Sequence, residues 1–88
     1  MGVLTIPYWV YMLRCCDGTL YTGITIDLER RLHEHNTSNK GAKYTKAKRP
    51  VTLVYHESCE TKSTALKREI VLKKMTKLQK EALICIER

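Results

Sequence analysis

The feature that most constrains this chain is a tight turn between two apolar runs, within residues 9–36. Each run carries a tyrosine, the turn reads Cys-Asp-Gly and ends at Gly18, and a charged segment follows. An Asp-Gly pair between two strand-like runs is a strong signal for a β-hairpin. We therefore expect two antiparallel strands, over about residues 8–15 and 19–23.

Two registers of this hairpin are compatible with the turn, and they place Tyr11 and Tyr21 differently. A two-residue loop puts the tyrosines on opposite faces of the ribbon. A three-residue loop, with Gly18 in the left-handed conformation, pairs Tyr11 with Gly23 and puts both phenols on one face. We expect the second register, in which Gly23 leaves room for a ligand beside Tyr11. The alternative is that both tyrosines only pack in half-buried strands.

The segment after the hairpin is predicted to form a helix that carries a permanent cation and an imidazole. Asp27 is a good N-cap, and the helix should run to about residue 34 or 35. Leu28 and Leu32 form an apolar stripe that can dock on the sheet, and Arg31 and His35 flank that stripe on one face. The helix therefore brings both side chains to the edge of the sheet, although an ordinary surface pair has the same spacing.

Residues 37–50 contain five basic residues and no acid. Small, hydroxyl and basic residues in this mixture predict a flexible loop. Such a loop can contact phosphates, and its tyrosine can stack or hydrogen-bond. The candidate nucleic-acid-binding residues are Lys40, Lys43, Tyr44, Lys46, Lys48 and Arg49. A solvated loop without a ligand is the alternative.

The next helix, predicted over residues 61–75, carries a carboxylate on or beside its apolar stripe. Glu69 lies one turn after Ala65 and one turn before Leu72. A carboxylate at such a position costs stability unless it is paired or ligates a cation. Lys73, one turn further on, can form a structural ion pair with it, and a divalent metal is the functional alternative. The helix alone does not choose between them.

The remaining elements complete a small mixed fold. A strand is predicted over residues 51–56 and a last helix from Lys77 towards Glu87. The inward-facing residues of that helix are predicted to be Leu78, Ala82, Leu83 and Ile86. We therefore expect an α+β fold, a three-stranded antiparallel sheet flanked by about three helices. Residues 1–88 should form one domain, with 1–7 as an N-terminal tail.

Charge and composition limit the partners. The 88 residues include 16 Lys and Arg against 9 Asp and Glu, a formal net charge of +7, which favours nucleic acid as a partner. No apolar run approaches the roughly 20 residues of a membrane span, and the N-terminus lacks the features of an export signal. The four cysteines lack zinc-site spacing. We expect a cytoplasmic protein with free thiols and no membrane partner.

Together these residues resemble the GIY-YIG nuclease superfamily. The first half-motif is degenerate, WVY at residues 9–11, and the second is YTG at residues 21–23. Arg31, His35 and Glu69 follow in the order typical of the family, and the later segments RPVTLVYHE and ALKREIVLKK are similar to its small stand-alone bacterial members. Each half-motif is weakly specific, but the ordered set is strong.

The resemblance implies a divalent-metal-dependent endonuclease acting on DNA, with structure-specific cleavage in repair or recombination as one expectation. Glu69 would be the only protein ligand of one Mg²⁺ or Mn²⁺. Tyr11 would be the general base or would position the attacking water, Tyr21 and Arg31 would contact the scissile phosphate, and His35 would assist by hydrogen bonding or proton transfer. Gly18 and Gly23 would shape the site. A protein partner that supplies specificity is compatible with this, and the oligomeric state stays open.

Two other functions are compatible with the same residues. A non-catalytic nucleic-acid-binding module of the same fold would keep the basic surface and cleave poorly, or only within a complex. A basic protein-interaction domain would need neither a glycine beside Tyr11 nor a carboxylate on the apolar stripe of a helix. The residues therefore favour the first two functions over the third.

Overall fold

The computed structural model describes residues 6–37, 40 and 43–86, so most of the predicted tail, part of the basic loop and Glu87 lie outside the described residues. Within this part of the chain there are three strands and four helices. In chain order they are β1 (Tyr8–Arg14), β2 (Leu20–Thr25), α1 (Leu28–Thr37), α2 (Lys43–Lys46), β3 (Thr52–Cys59), α3 (Lys62–Lys74) and α4 (Lys77–Ile86). The sheet is antiparallel, in the order β2-β1-β3. The predicted fold class is confirmed, with one short helix more than expected.

The hairpin adopts the register with the longer loop. Gly18 has a φ of 86°, in the left-handed region that glycine enters without a Cβ penalty. The Cys15 N–H donates to the Thr19 carbonyl at 2.8 Å, which closes the loop. Tyr11 lies opposite Gly23, as predicted. Both tyrosines therefore project from one face of the sheet.

One face of the sheet packs against α3 and α4. Val10 and Met12 from β1 are buried there with Ala65 and Leu72 from α3 and Ile84 from α4. Full burial of each large apolar side chain contributes about 1.5–3 kcal/mol, so this cluster is the main source of stability. A capping box at Thr61 begins α3 one residue before its first helical residue.

The opposite face of the sheet carries the tyrosines and packs against α1. Leu13 and Cys15 are buried there with Val51, beneath Leu28 and Leu32 of α1. The apolar stripe predicted for α1 therefore docks on the sheet as expected. The helix extends to Thr37, two residues beyond the prediction. Since β1 is central in the sheet, its side chains contribute to a separate apolar cluster on each face.

The predicted inward face of α4 is wrong except at Leu83, which packs partly buried against the core cluster, and Ala82 is exposed. Leu78 is 81% exposed and Ile86 is 77% exposed, whereas Ile84 is the buried residue of the helix. A bidentate ion pair between Arg14 of β1 and Glu81 of α4, with N–O distances of 2.6 and 2.7 Å, sets how the helix is rotated. The apolar residues of α4 lie on several sides of the helix, so their spacing alone could not predict which side is buried.

The basic segment is more ordered than its composition predicted. It contains the short helix α2, and Thr45 in that helix is completely buried. The Cys16 N–H of the hairpin turn donates to the Lys48 carbonyl at 3.0 Å, which ties the segment to the sheet. The prediction of a loop is therefore wrong for residues 43–46, which are helical. None of the helices described is long and apolar enough to cross a membrane.

Candidate active site

Tyr11 lies at the centre of the candidate site. Its side chain is only 2% exposed, and its ring lies directly over Gly23 of β2. A Cβ added to Gly23 would come within 2.6 Å of the Tyr11 hydroxyl oxygen and 2.8 Å of Cζ. The space that Gly23 leaves is therefore filled by the Tyr11 ring itself, whereas the sequence had suggested room for a ligand.

Tyr21 completes an aromatic cluster on the same face. Its ring centroid lies 6.4 Å from that of Tyr11 and 5.1 Å from that of His35. Tyr44 from α2 stacks on Tyr21, with centroids 5.9 Å apart and an interplanar angle of 29°. The hairpin thus contributes two aromatic rings and α1 and α2 one each, and Tyr21 contacts the other three.

His35 is completely buried and both of its ring nitrogens are engaged. Nε2 lies 2.9 Å from the Tyr11 hydroxyl, and Nδ1 lies 2.7 Å from the Thr45 hydroxyl. Burial, and then the positive charge of Arg31, lower the pKa of His35 to about 4. The imidazole is therefore neutral at physiological pH, with one donor and one acceptor nitrogen for its two hydroxyl neighbours.

Arg31 projects from α1 beside the phenol. Its guanidinium donates to the Glu34 carboxylate at 3.0 Å and to the Lys40 carbonyl at 2.7 Å. Burial raises the pKa of Tyr11 to about 12, the neighbouring Arg31 acts in the opposite direction, and the charges of Tyr21 and Glu69 add to the rise. Tyr11 is therefore a neutral phenol in the free protein.

Glu69 reaches this group of residues from α3. Its negative charge acts on Tyr11, and its carboxylate forms an ion pair with Lys73 at 3.2 Å. The Glu69 side chain is 17% exposed and that of Lys73 is 55% exposed, so the pairing partner lies mainly in solvent. The ion pair foreseen as the structural alternative is therefore present.

The donor chemistry of the site fits a single Mg²⁺ or Mn²⁺. In the described part of the chain no group of three or more His, Cys, Asp or Glu residues could hold a metal. Mg²⁺, however, is commonly bound through one or two carboxylates, with waters and substrate phosphate oxygens as its other ligands. Glu69 is a partly accessible carboxylate whose only ion-pair partner among the described residues is an exposed lysine. Glu69 is therefore the residue that would hold such an ion.

The charged groups of Lys48 and Arg49, two of the predicted nucleic-acid-binding residues, make intramolecular contacts. The Lys48 ammonium lies 3.1 Å from the Asp17 carboxylate and 4.1 Å from the centre of the Tyr44 ring. Arg49 donates to the backbone carbonyl of His35 at 2.5 Å. Lys48 and Arg49 therefore fasten the basic segment to the hairpin and to α1.

The other predicted nucleic-acid-binding residues of the basic segment lie on the surface. Lys40, Lys43, Tyr44 and Lys46 are exposed. Lys40 also accepts, through its carbonyl, a hydrogen bond from Arg31. Binding of nucleic acid by these residues stays a prediction.

Thr45 is the site residue that the sequence did not reveal. Its buried hydroxyl holds Nδ1 of His35 from a helix of four residues. A lone threonine among lysines carries no periodic signal, and only the fold brings it to His35, ten positions earlier in the chain. A buried histidine needs a hydrogen-bond partner, but the sequence does not show which hydroxyl supplies it.

Known proteins share both the sequence and the fold. The family model of the GIY-YIG catalytic domain matches residues 7–82. A UPF0213 protein of Desulfotalea psychrophila is 52% identical over 79 residues, which cover 89% of this chain and 72% of that protein. A UPF0213 protein of Halobacterium salinarum is 51% identical over 74 residues, 84% of this chain and 95% of the relative.

Two solution NMR structures are similar to the fold described above. A UPF0213 protein from Bacillus halodurans superposes with a TM-score of 0.59 at 39% identity, over 91% of this chain and 84% of that one. A protein from E. faecalis does so with a TM-score of 0.61 at 40% identity, over 92% and 86%. With a family model that spans most of its length and relatives of this similarity, the chain belongs to the GIY-YIG nuclease superfamily.

Proposed function

We propose that this protein is a divalent-metal-dependent endonuclease that hydrolyses DNA phosphodiester bonds. The observation that carries the proposal is the convergence on Tyr11 of groups from separate elements. His35 lies 2.9 Å from its hydroxyl, and Arg31 and Glu69 both act on its ionisation. Membership of the superfamily supports the same reading. A phenol, a cation and a carboxylate that act on one another are the groups that phosphodiester hydrolysis requires.

The roles of Tyr11 and His35 follow from their proton affinities. Burial raises the pKa of Tyr11 to about 12 and lowers that of His35 to about 4, so in the free protein the phenolic proton stays on Tyr11. His35 therefore orients the Tyr11 hydroxyl and does not deprotonate it in the resting state. Any phenolate must form only after substrate and metal have bound.

Arg31 provides the fixed positive charge of the site. A guanidinium stays protonated throughout the reaction and can pair with two phosphate oxygens at once. Charge develops on the non-bridging and leaving oxygens during phosphodiester hydrolysis, and a cation at that point stabilises the transition state. The same charge favours the ionised form of Tyr11, whose pKa it already lowers. Arg31 therefore binds the scissile phosphate and makes Tyr11 a better base.

Glu69 would hold the ion, as its carboxylate chemistry allows. When bound, a divalent ion supplies Lewis-acid stabilisation to the phosphate oxygens and makes a water molecule more acidic. The Tyr11 hydroxyl orients the attacking water, and Tyr21 donates a hydrogen bond to the same phosphate. Occupation of Glu69 by a cation must replace its ion pair with Lys73, whose side chain is free to move into solvent.

Cleavage of a DNA panel tests this function. Flap, junction, nicked and single-stranded DNAs should be incubated with the wild-type protein in Mg²⁺, in Mn²⁺ and in a chelator. We expect metal-dependent cleavage that Tyr11→Phe reduces by about 100-fold or more, since general acid–base groups contribute about 10²–10⁴-fold. Tyr8→Phe, on the same strand, is the matched control and should cleave normally. Cleavage that survives Tyr11→Phe unchanged would mean that the site lies elsewhere.

A non-catalytic nucleic-acid-binding module is the second candidate. The ion pair of Glu69 with Lys73 and the protonated, buried Tyr11 favour it, because both describe a site that is not poised for chemistry. Binding of DNA by the wild-type protein without cleavage in either metal would support this module in place of the nuclease.

A further inference from the structure

On the sheet face that carries Tyr11, α1 packs against residues at the hairpin end of β1. Leu13 lies beneath α1 in the apolar cluster of that face. In the other direction along β1 the next residue on this face is Trp9, because alternate residues of a strand point to the same side. Trp9 lies opposite Thr25 of β2 and Ser58 of β3. It is half-buried and belongs to neither apolar cluster of the described residues.

His56 stands next to Trp9 on the same face. It lies opposite Tyr11 in the pairing of β1 with β3, and its side chain is exposed. The rings of Trp9 and His56 are 5.4 Å apart at an interplanar angle of 78°. Rings at right angles do not stack on each other, so at least one flat aromatic face is left for a planar ligand.

The surface beside His56 is concave. A cavity of about 390 Å³ is lined by Thr52, Leu53, Val54, Tyr55 and His56 along β3. It does not include the phenols of the candidate active site, but His56 joins it to the face on which Tyr11 lies. An aromatic pair, a concave border and a chain of net charge +7 together fit an anionic ligand that carries flat rings.

We propose that Trp9 and His56 form a subsite that stacks an unpaired nucleobase of the nucleic-acid strand next to the scissile phosphate. The subsite rests on the proposed nuclease function and gives it a substrate class. Two residues of a strand span about 7 Å, and stacked nucleotides are about 3.4 Å apart, so the base lies roughly two nucleotides from the phosphate at Tyr11. A base inside a duplex has both faces covered by its neighbours. The subsite therefore selects DNA with a single-stranded segment.

Trp9 is the only tryptophan of the chain, so intrinsic fluorescence reports on this subsite directly. The full-length protein is titrated in a chelator, which prevents metal-dependent cleavage, with an oligothymidylate. An abasic oligonucleotide with the same number of phosphates is the matched ligand. We expect the oligothymidylate to quench the fluorescence and to bind about 5- to 100-fold more tightly than the abasic strand, as one base stacked on an aromatic side chain does. Equal quenching and equal affinity for the two ligands would overturn the subsite.

Variants separate stacking from charge. In fluorescence anisotropy with labelled oligothymidylate, Trp9→Ala should weaken binding by about 5- to 100-fold and leave both the salt dependence and abasic-strand binding unchanged. His56→Ala, which changes only an exposed side chain, should weaken binding in the same direction and keeps the test valid if Trp9→Ala does not fold. Ser58→Ala is the control and should bind normally.

The outcomes also separate this subsite from the proposed function. A protein that binds both strands equally, with no effect of Trp9→Ala or His56→Ala, overturns only the subsite. A protein that binds neither strand overturns the subsite, and the nuclease is overturned only if the DNA panel is also not cleaved in Mg²⁺ or Mn²⁺.

Discussion

Gly23 and Gly18 lie in one hairpin but are required for different physical reasons. A Cβ at Gly23 would lie 2.6 Å from the Tyr11 hydroxyl oxygen, so Gly23→Ala must displace the phenol from His35. A Cβ at Gly18 would meet only Lys77 Nζ, at 3.9 Å, but the φ of +86° strains an alanine. We expect both changes to destabilise the fold by about 1–3 kcal/mol. Only Gly23→Ala should lower the cleavage rate per folded molecule.

Urea unfolding gives the stability of the two glycine variants, and cleavage assays at equal folded concentration give their activity. Gly18→Ala serves as the control, because it costs stability at a position remote from the phenols. An equal loss of cleavage by the two variants would contradict the role assigned to Gly23.

The burial of His35 makes folding stability depend on pH. Its pKa is lowered from 6.5 to about 4, so between these values the unfolded chain binds more protons than the folded one. The stabilisation is fully present above pH 6.5 and is lost as the pH falls through 4. Between about pH 7 and about pH 5 we expect the free energy of unfolding to fall by about 2 kcal/mol from this residue.

Urea unfolding at the two pH values measures that change, and most carboxylates stay ionised across this window. His35→Gln should remove the pH dependence, and His33→Gln, at an exposed position of the same helix, should keep it. Identical pH dependence in wild type and His35→Gln would show that His35 is not held neutral by the fold.

Residue-scale features differ in how readily a sequence reveals them. The register could be predicted because a glycine after Asp17 can adopt the left-handed conformation that the three-residue loop needs. That register places Tyr11 opposite Gly23. The complete burial of His35 could not be predicted, because the hydroxyl that satisfies its Nδ1 comes from Thr45 in a segment with the composition of a loop.

Among the structural elements, the basic segment around α2 divides into anchored and exposed side chains. Lys48 pairs with Asp17, whereas Lys43 and Lys46 project from the surface of α2. We expect Lys43→Gln with Lys46→Gln to weaken DNA binding and to reduce the slope of log affinity against log salt by about 1.5, since each lost phosphate contact removes about 0.7–0.9.

Anisotropy titrations at several salt concentrations measure that slope. Lys62→Gln with Lys67→Gln removes the same charge from exposed positions of α3 and is the matched control. Equal slopes for the two double variants would remove α2 from the DNA interface.

The helices also show when the spacing of apolar residues predicts the buried side of a helix and when it does not. The stripe of Leu28 and Leu32 predicted correctly how α1 docks, because its other positions are polar. In α4 the apolar residues point in several directions, and the ion pair of Arg14 with Glu81 decides that Ile84 is buried. Local periodicity does not predict an ion pair between residues 67 positions apart.

At the scale of the whole molecule, the candidate site is an assembly of elements from opposite sides of the sheet. Tyr11 and Tyr21 come from the hairpin and Arg31 and His35 from α1, on one face. Glu69 comes from α3, the helix that packs on the other face, and its charge still reaches Tyr11. The family resemblance named these candidate residues, but how they are placed relative to one another depends on how the helices pack on both faces of the sheet.

We propose that Glu69 binds a metal ion and does not only form an ion pair with Lys73. The most direct measurement is the Mg²⁺-dependent cleavage rate of wild type, Glu69→Gln and Lys73→Gln on one single-stranded or flap DNA. We expect Glu69→Gln to lower the rate by about 100-fold or more, while Lys73→Gln cleaves at least as well as wild type because it frees the carboxylate. Equal losses in the two variants would mean that the ion pair is structural and that Glu69 does not bind the metal.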